Sequence, residues 1–208
     1  ASMRLEDGKA HPTKGEATRG AIIDRALVQA LEVGLEGISL GVLAHSLDLS
    51  KSGLFAHFKS KEVLQLAVLE EAIERFTDQV ITPALGKPRG EPRVRALLEN
   101  QVEWVLANGG CFFMAMAQEY DDRPGPIRER LVQSQRDWRE VIAKAVSLAM
   151  RERHFAGTVD PEQFAFELVG IGTSFQQAHK LLNDPSAKTR ALKAIDRLIE
   201  DARPKKRS

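Results

Sequence analysis

A chain of 208 residues, 43% hydrophobic and 28% charged, has room for one large or two small domains around a sizeable core. Its formal net charge of +1 carries no global basic signature, so nucleic-acid binding would have to come from a local patch. The single Cys111 excludes an internal disulfide and a cysteine-rich metal site, and no apolar run approaches the roughly 18 residues of a membrane span.

Residues 1–17 are polar and are expected to form a flexible arm, with Ala1 and Ser2 before Met3 resembling a cloning remnant and no signal peptide in view. Of the basic residues here, Arg19 is the one expected to touch a DNA backbone, while Arg4, Lys9 and Lys14 read rather as part of a solvated arm. Helical periodicity dominates from there on, with no alternating strand pattern. Helix 1 is expected to open at Ala17 or Thr18. Ile22, Ile23, Ala26, Leu27, Ala30 and Leu31 form its apolar face, and Gly34 is a natural stop.

The segment Leu40–Lys61 reads as two short helices joined by a tight turn at Asp48. Leu40, Leu43, Ala44 and Leu47 give the first an apolar stripe, with Ser39 as its cap. Ser50 caps the second, because its hydroxyl can accept from the free amides of the first turn. That second helix is expected to carry Leu54, Phe55 and Phe58 inward and Lys51, Ser52 and His57 outward. From Ser50 to Lys61 there are three lysines, one histidine and no acid. Such a unit is shaped to enter a DNA major groove.

Helix 4 is expected from Lys61 to about Ile81, stopped by Pro83. The Pro83–Pro92 stretch, with two glycines and three prolines, reads as the join to a larger helical domain. Helix 5 follows from Arg93 to Ala107, helix 6 from Cys111 to Tyr120 and helix 7 from Ile127 to Arg153. Helix 8 begins after Asp160-Pro161 and runs to about Leu182, and helix 9 begins after Asp184-Pro185 and runs to about Ala202. Arg203–Ser208 is a basic tail. The fold class is therefore all-α, about nine helices, with a helix-turn-helix unit at 18–62 and a helical domain at 63–202.

Thr18–Lys61 resembles the DNA-binding domain of the TetR family, the tetracycline-repressor-like regulators of bacteria. The resemblance is carried by the helix 1 run, by Gly37-Ile38-Ser39-Leu40, by Leu43-Ala44, and above all by LSKSGLFAHFKSKEVL at Leu49–Leu64. The helices that follow match the family's layout in number and order. Three positions depart from its pattern. Asp48 stands where glycine is usual, Gly41 where a polar or basic residue is frequent, and Phe55 where tyrosine is usual. Aspartate tolerates the left-handed conformation better than most residues, so the turn is compatible with Asp48.

The DNA site expected on this basis comprises Ser39, Ser50, Lys51, Ser52, Gly53, Phe55, His57 and Lys61. Lys51, Ser52 and Gly53 lie where they can approach base edges, Lys51 as a donor to guanine. Ser39, Ser50, His57 and Lys61 are better placed for phosphates. One such helix covers only a few base pairs, so a two-fold dimer on a palindromic operator is expected. The resemblance implies that the last two helices of each chain form an intermolecular four-helix bundle. Phe164, Leu168, Ile171, Phe175 and Leu182 on helix 8 and Leu192, Ile195, Leu198 and Ile199 on helix 9 are the expected dimer interface, with Gly170, Gly172, Thr173 and Ser174 allowing close approach.

A ligand pocket between helices 4 and 7 would take its walls from Trp104, Cys111, Phe113, Met114, Trp138 and Phe175. Gln101, Gln118 and His179 would be its polar contacts. Aromatic and Met residues at this spacing read as core before they read as ligand contacts, and Cys111, with no base nearby in sequence, reads as a buried, inert thiol. The expected function is a ligand-responsive, cytoplasmic transcriptional repressor, released from DNA by a small apolar or aromatic effector, with no metal or cofactor. The alternatives are a helical protein-interaction module or an enzyme. Against an enzyme, the five histidines and one cysteine form no His-Glu-x-x-His, Walker, GxSxG or paired-Cys motif.

Overall fold

The structure, a computed structural model of the chain, describes residues 13–205. Among the described residues it holds nine helices and no strand. Helix α1 (Lys14–Val33) opens ahead of the expected Ala17 or Thr18, because Thr13 and Glu16 form a capping box. The Glu16 amide donates to Thr13 Oγ1 at 3.2 Å, and the Thr13 amide donates to the Glu16 carboxylate at 2.7 Å. That hydrogen bond from the Thr13 backbone holds the Glu16 carboxyl below its ordinary value. Thr13–Ala17, with Lys14, therefore belong to α1 and its cap. Arg4, Lys9 and the last three residues of the tail lie outside the described residues.

Helices α2 (Leu40–Ser46) and α3 (Lys51–His57) pack with α1 into a small unit. Ile22, Leu35, Leu43 and Leu54 are fully enclosed at its centre, and Phe58 closes it at the end of α3. Asp48 sits in the turn at φ 52°, the left-handed conformation that the tight reversal requires.

Helix α4 (Lys61–Phe76) packs on α1 and carries the chain into the larger domain. Pro83 does not end it. The helix continues through a π-helical turn (Thr77–Ile81) into a last α-turn (Thr82–Leu85). In the wider turn the Thr82 amide reaches back to the Thr77 carbonyl, and Asn100 Nδ2 donates to the Val80 carbonyl at 3.1 Å. Pro83, lacking an N–H, thus enters where the ladder is already rearranged.

Helices α5 (Glu91–Ala107), α6 (Phe112–Tyr120), α7 (Pro126–Arg151), α8 (Pro161–Gln176, extended by a π-turn at Gln177–Leu181) and α9 (Ala187–Ala202) complete the domain. Its centre is aromatic. Phe76 meets Trp104 and Trp138 edge-on at ring-centroid distances of 5.1 and 5.0 Å, and Phe113 lies 5.5 Å away.

Five of the nine residues expected at the dimer interface are enclosed by the chain's own packing. Phe164, Leu168, Phe175, Ile195 and Ile199 are buried in the chain's own core, and Ile171, Leu192 and Leu198 pack half-buried against it. Gly172 is small for an intrachain reason, since a Cβ there would lie 3.0 Å from Met114 Cε. Leu182 alone of that set is exposed. The outward face of α8 is instead Phe166, Gly170, Thr173, Ser174 and Leu181, with Phe166 60% and Leu181 70% exposed.

Candidate nucleic-acid interface

Three serines begin three successive helices around the turn. Ser39 Oγ accepts from the Val42 amide at 3.4 Å, Ser50 Oγ from Gly53 at 2.9 Å and Ser60 Oγ from Val63 at 3.2 Å. Each hydroxyl oxygen thereby satisfies an otherwise free amide at its helix N-terminus. Ser50 and Ser52 hydroxyls also lie 3.0 Å apart, which orders the first turn of α3.

Lys51 and Ser52 are exposed at that first turn, and Gly53 is half-buried beside them. Gly41 explains part of the arrangement. A Cβ at Gly41 would lie 3.6 Å from Lys51 Cε, so the lysine stem runs across the start of α2. Leu54 and Phe58 anchor the opposite face of α3 in the core. Phe55 is corrected: it was expected inward, yet it is 45% exposed, on the same open side of α3 as the lysine. His57 is half-buried at the end of α3. Lys61 is exposed only in part, because its Nζ donates to the Glu36 carbonyl and lies 3.9 Å from the Glu36 carboxylate. Arg19 stacks over the Phe58 ring at 5.0 Å, beside the same surface. The structure thus gathers Ser39, Ser50, Lys51, Ser52 and Phe55 on one open face. His57 and Lys61 stand at its margin.

The residues expected to line a pocket divide. Gln101, Trp104, Cys111, Phe113, Trp138 and Phe175 are buried, whereas Gln118 is exposed and faces away from the domain centre. Met114 is half-buried, as is His179, which stacks on Phe175 at 5.7 Å. The indole N–H groups of Trp104 and Trp138 are buried with no hydrogen-bond acceptor. A cavity of about 10 Å³, room for about one water, sits beside Trp104 between Leu27, Leu31, Ala72 and Phe112. Cys111 is wholly enclosed, and burial pushes its thiol up to about 11. Among the described residues, no group of three or more His, Cys, Asp or Glu is placed to hold a metal ion, and no helix is long and apolar enough to cross a membrane.

One set of contacts carries no signal in the sequence. Glu119, which reads there as part of a charged helix end, reaches the α1–α2 segment, as do Tyr120 and Lys180. Their targets are mostly backbone groups far away along the chain.

Comparison with known proteins agrees with this architecture. The family described as "Tetracyclin repressor-like, C-terminal domain" matches residues 90–195, half of the chain. A TetR-family transcriptional regulator from Cytophaga hutchinsonii superposes with a TM-score of 0.82 at 17% identity, over 95% of this chain and all of that one. AibR, solved in complex with isovaleryl coenzyme A and operator DNA, superposes with a TM-score of 0.73 at 21% identity, over 87% of this chain and 97% of AibR. The uncharacterized HTH-type transcriptional regulator YobS of Bacillus subtilis (strain 168) is 20% identical over 115 residues. That match takes in 55% of this chain and 60% of YobS, less than two thirds of the relative. The match across the helical domain, joined to the N-terminal helix-turn-helix and the shared all-helical fold, shows that the chain belongs to the TetR family of transcriptional regulators.

Proposed function

We propose that this chain is a ligand-responsive repressor that binds a palindromic operator as a homodimer and is released by a small apolar or aromatic effector. The observation that carries the reading is the first turn of α3. It presents Lys51 and Ser52 to solvent on a helix whose other face is locked in the core, with no acid from Ser50 to Lys61. Residues 18–62, extended to the Thr13 cap, would be the DNA-binding unit, and 63–202 the effector and dimer domain. Dimerisation would use the exposed stripe through Phe166, Thr173, Leu181 and Leu182 in place of the buried residues first expected.

An effector would enter the aromatic cluster around Phe76, Trp104 and Trp138. The two acceptor-free indole N–H groups there match a ligand that is mostly apolar but carries a carbonyl oxygen. AibR, solved with isovaleryl coenzyme A and operator DNA together, supports the pairing of a small-molecule effector with operator binding on this fold. The cavity beside Trp104 holds about one water, so an effector entering there requires the surrounding packing to open. A DNA partner places the protein in the cytoplasm. The reading assigns no catalysis: Glu119 is engaged by backbone amides, and Asp121 and Asp122 are exposed beside it.

The test is a titration of the full chain into a labelled duplex at several salt concentrations. Affinity should fall linearly on a log–log plot, with a slope of about −0.9 per phosphate neutralised. Absence of binding at low salt would refute the DNA role and favour a protein-interaction module.

A further inference from the structure

Helix α6 ends against the DNA-binding unit. The Glu119 carboxylate accepts the backbone N–H of Leu35 at 2.9 Å and of Glu36 at 2.8 Å, just beyond the end of α1. Tyr120, itself buried, donates its hydroxyl to Glu36 Oε1 at 2.9 Å. The same short segment is gripped from α4. Gln65, one of the few buried polar side chains, donates to the Leu35 carbonyl at 2.8 Å, and Lys61 donates to the Glu36 carbonyl. Gly34 makes room for this: it adopts φ +80°, and a Cβ there would stand 2.7 Å from Glu119 Oε2. A second grip lies one turn earlier, where Lys180 at the end of α8 donates to the Leu31 carbonyl at 3.0 Å. Lys180 suits the dipole of α1, a cation meeting a carbonyl of its C-terminus; Glu119 is held instead by two charge-assisted hydrogen bonds from the amides that follow.

The other end of α6 is tied into the effector domain. The Cys111 amide donates to Gln176 Oε1 at 2.8 Å, and Phe112 and Phe113 stand in the aromatic cluster. Helix α6, nine residues long, is a short rod between the cluster and Glu119. The segment that Glu119 holds runs directly into Ser39 and α2, which packs on α3.

We propose that Glu119 is the positioning residue that fixes the recognition helix relative to the effector domain, by holding the Leu35 and Glu36 amides that lead into α2. The DNA part of this rests on the regulator reading above; the latch itself does not. The test is hydrogen exchange read by mass spectrometry on the full chain, comparing wild type, E119A, E119Q and the neighbouring charge control D122N. In E119A, exchange over Leu31–Leu40 should rise about tenfold or more, while the α5 core keeps its protection. E119Q, which retains one acceptor oxygen, should fall between, and D122N should match wild type. Unchanged exchange at Leu35 and Glu36 in folded E119A or E119Q overturns the latch. Binding to a duplex recovered with wild type should weaken by a similar factor in E119A; full affinity with a deprotected segment overturns the positioning role. Wild type that binds no duplex refutes the regulator reading instead, and the exchange result still decides the latch.

Discussion

Gly34→Ala puts the junction between the two units under direct stress. Gly34 adopts φ 80° and ψ 166°, a region that residues with a Cβ enter at a cost of about 1–3 kcal/mol. The added Cβ would also lie 2.7 Å from Glu119 Oε2 and 2.9 Å from Oε1, so the carboxylate must leave its two amides. A hydrogen bond to a charged group contributes about 1.5–3 kcal/mol. We count one such bond, because the Glu36 amide is exposed and water can replace its partner. Against this, alanine narrows the unfolded ensemble by about 0.4–1 kcal/mol. The net loss expected is about 2–5 kcal/mol, a large share of the roughly 5–15 kcal/mol that holds a domain folded. Urea unfolding followed by circular dichroism measures it. The cycle with E119A separates the causes: the double variant should be less destabilised than the sum of the single ones, because the clash partner is gone while the strain remains. A Gly34→Ala midpoint equal to wild type, or strict additivity in the cycle, would refute this reasoning.

Phe76→Ala removes the ring against which both tryptophans pack edge-on, and should destabilise the chain by about 3–5 kcal/mol while shifting tryptophan emission to the red; an unshifted spectrum counts against the cluster. Cys111, with its thiol pushed up to about 11 by burial, should react with a thiol reagent at pH 8 about a hundredfold more slowly than in the unfolded chain. Equal rates in the folded and the unfolded chain would contradict the burial. Arg203 hydrogen-bonds Glu91 through two nitrogens, at 2.8 and 2.6 Å, and this holds the Glu91 carboxyl below its ordinary value. A depressed carboxyl stabilises the fold above its unfolded pKa of about 4.3 and loses that contribution as pH falls through the folded value. The stability gap between wild type and Arg203→Ala should therefore narrow as pH falls from about 4.3 through the lower folded value, and a constant gap would refute the assignment.

The recognition unit is legible in the sequence because its determinants are local. Serine caps, an apolar stripe and a basic first turn all lie within a few residues of what they organise. Local signals also misled. The Thr13–Glu16 capping box was hidden in a stretch that reads as a polar arm, and Pro83 reads as a helix stop, although a π-turn admits it. Helix α8 has apolar residues on two faces. Periodicity shows that Phe164, Leu168 and Phe175 share a stripe, but not whether the same chain or a partner covers it; the chain itself does. Phe55 likewise looks like core until Leu54 and Phe58 are seen to fill that side. The Glu119 latch was out of reach, since its partners are backbone amides more than 80 residues away, and an amide leaves no mark in the residue letters.

The most direct test of the central claim is selection of bound duplexes from a random DNA library by the purified full chain. The account predicts an enriched two-fold-symmetric site whose half-sites lie about one helical turn apart. It also predicts that Lys51→Ala relaxes one position in each half-site at a cost of about 1–3 kcal/mol. Failure to enrich any symmetric site at low salt, or a Lys51→Ala variant with unaltered preference, would contradict it.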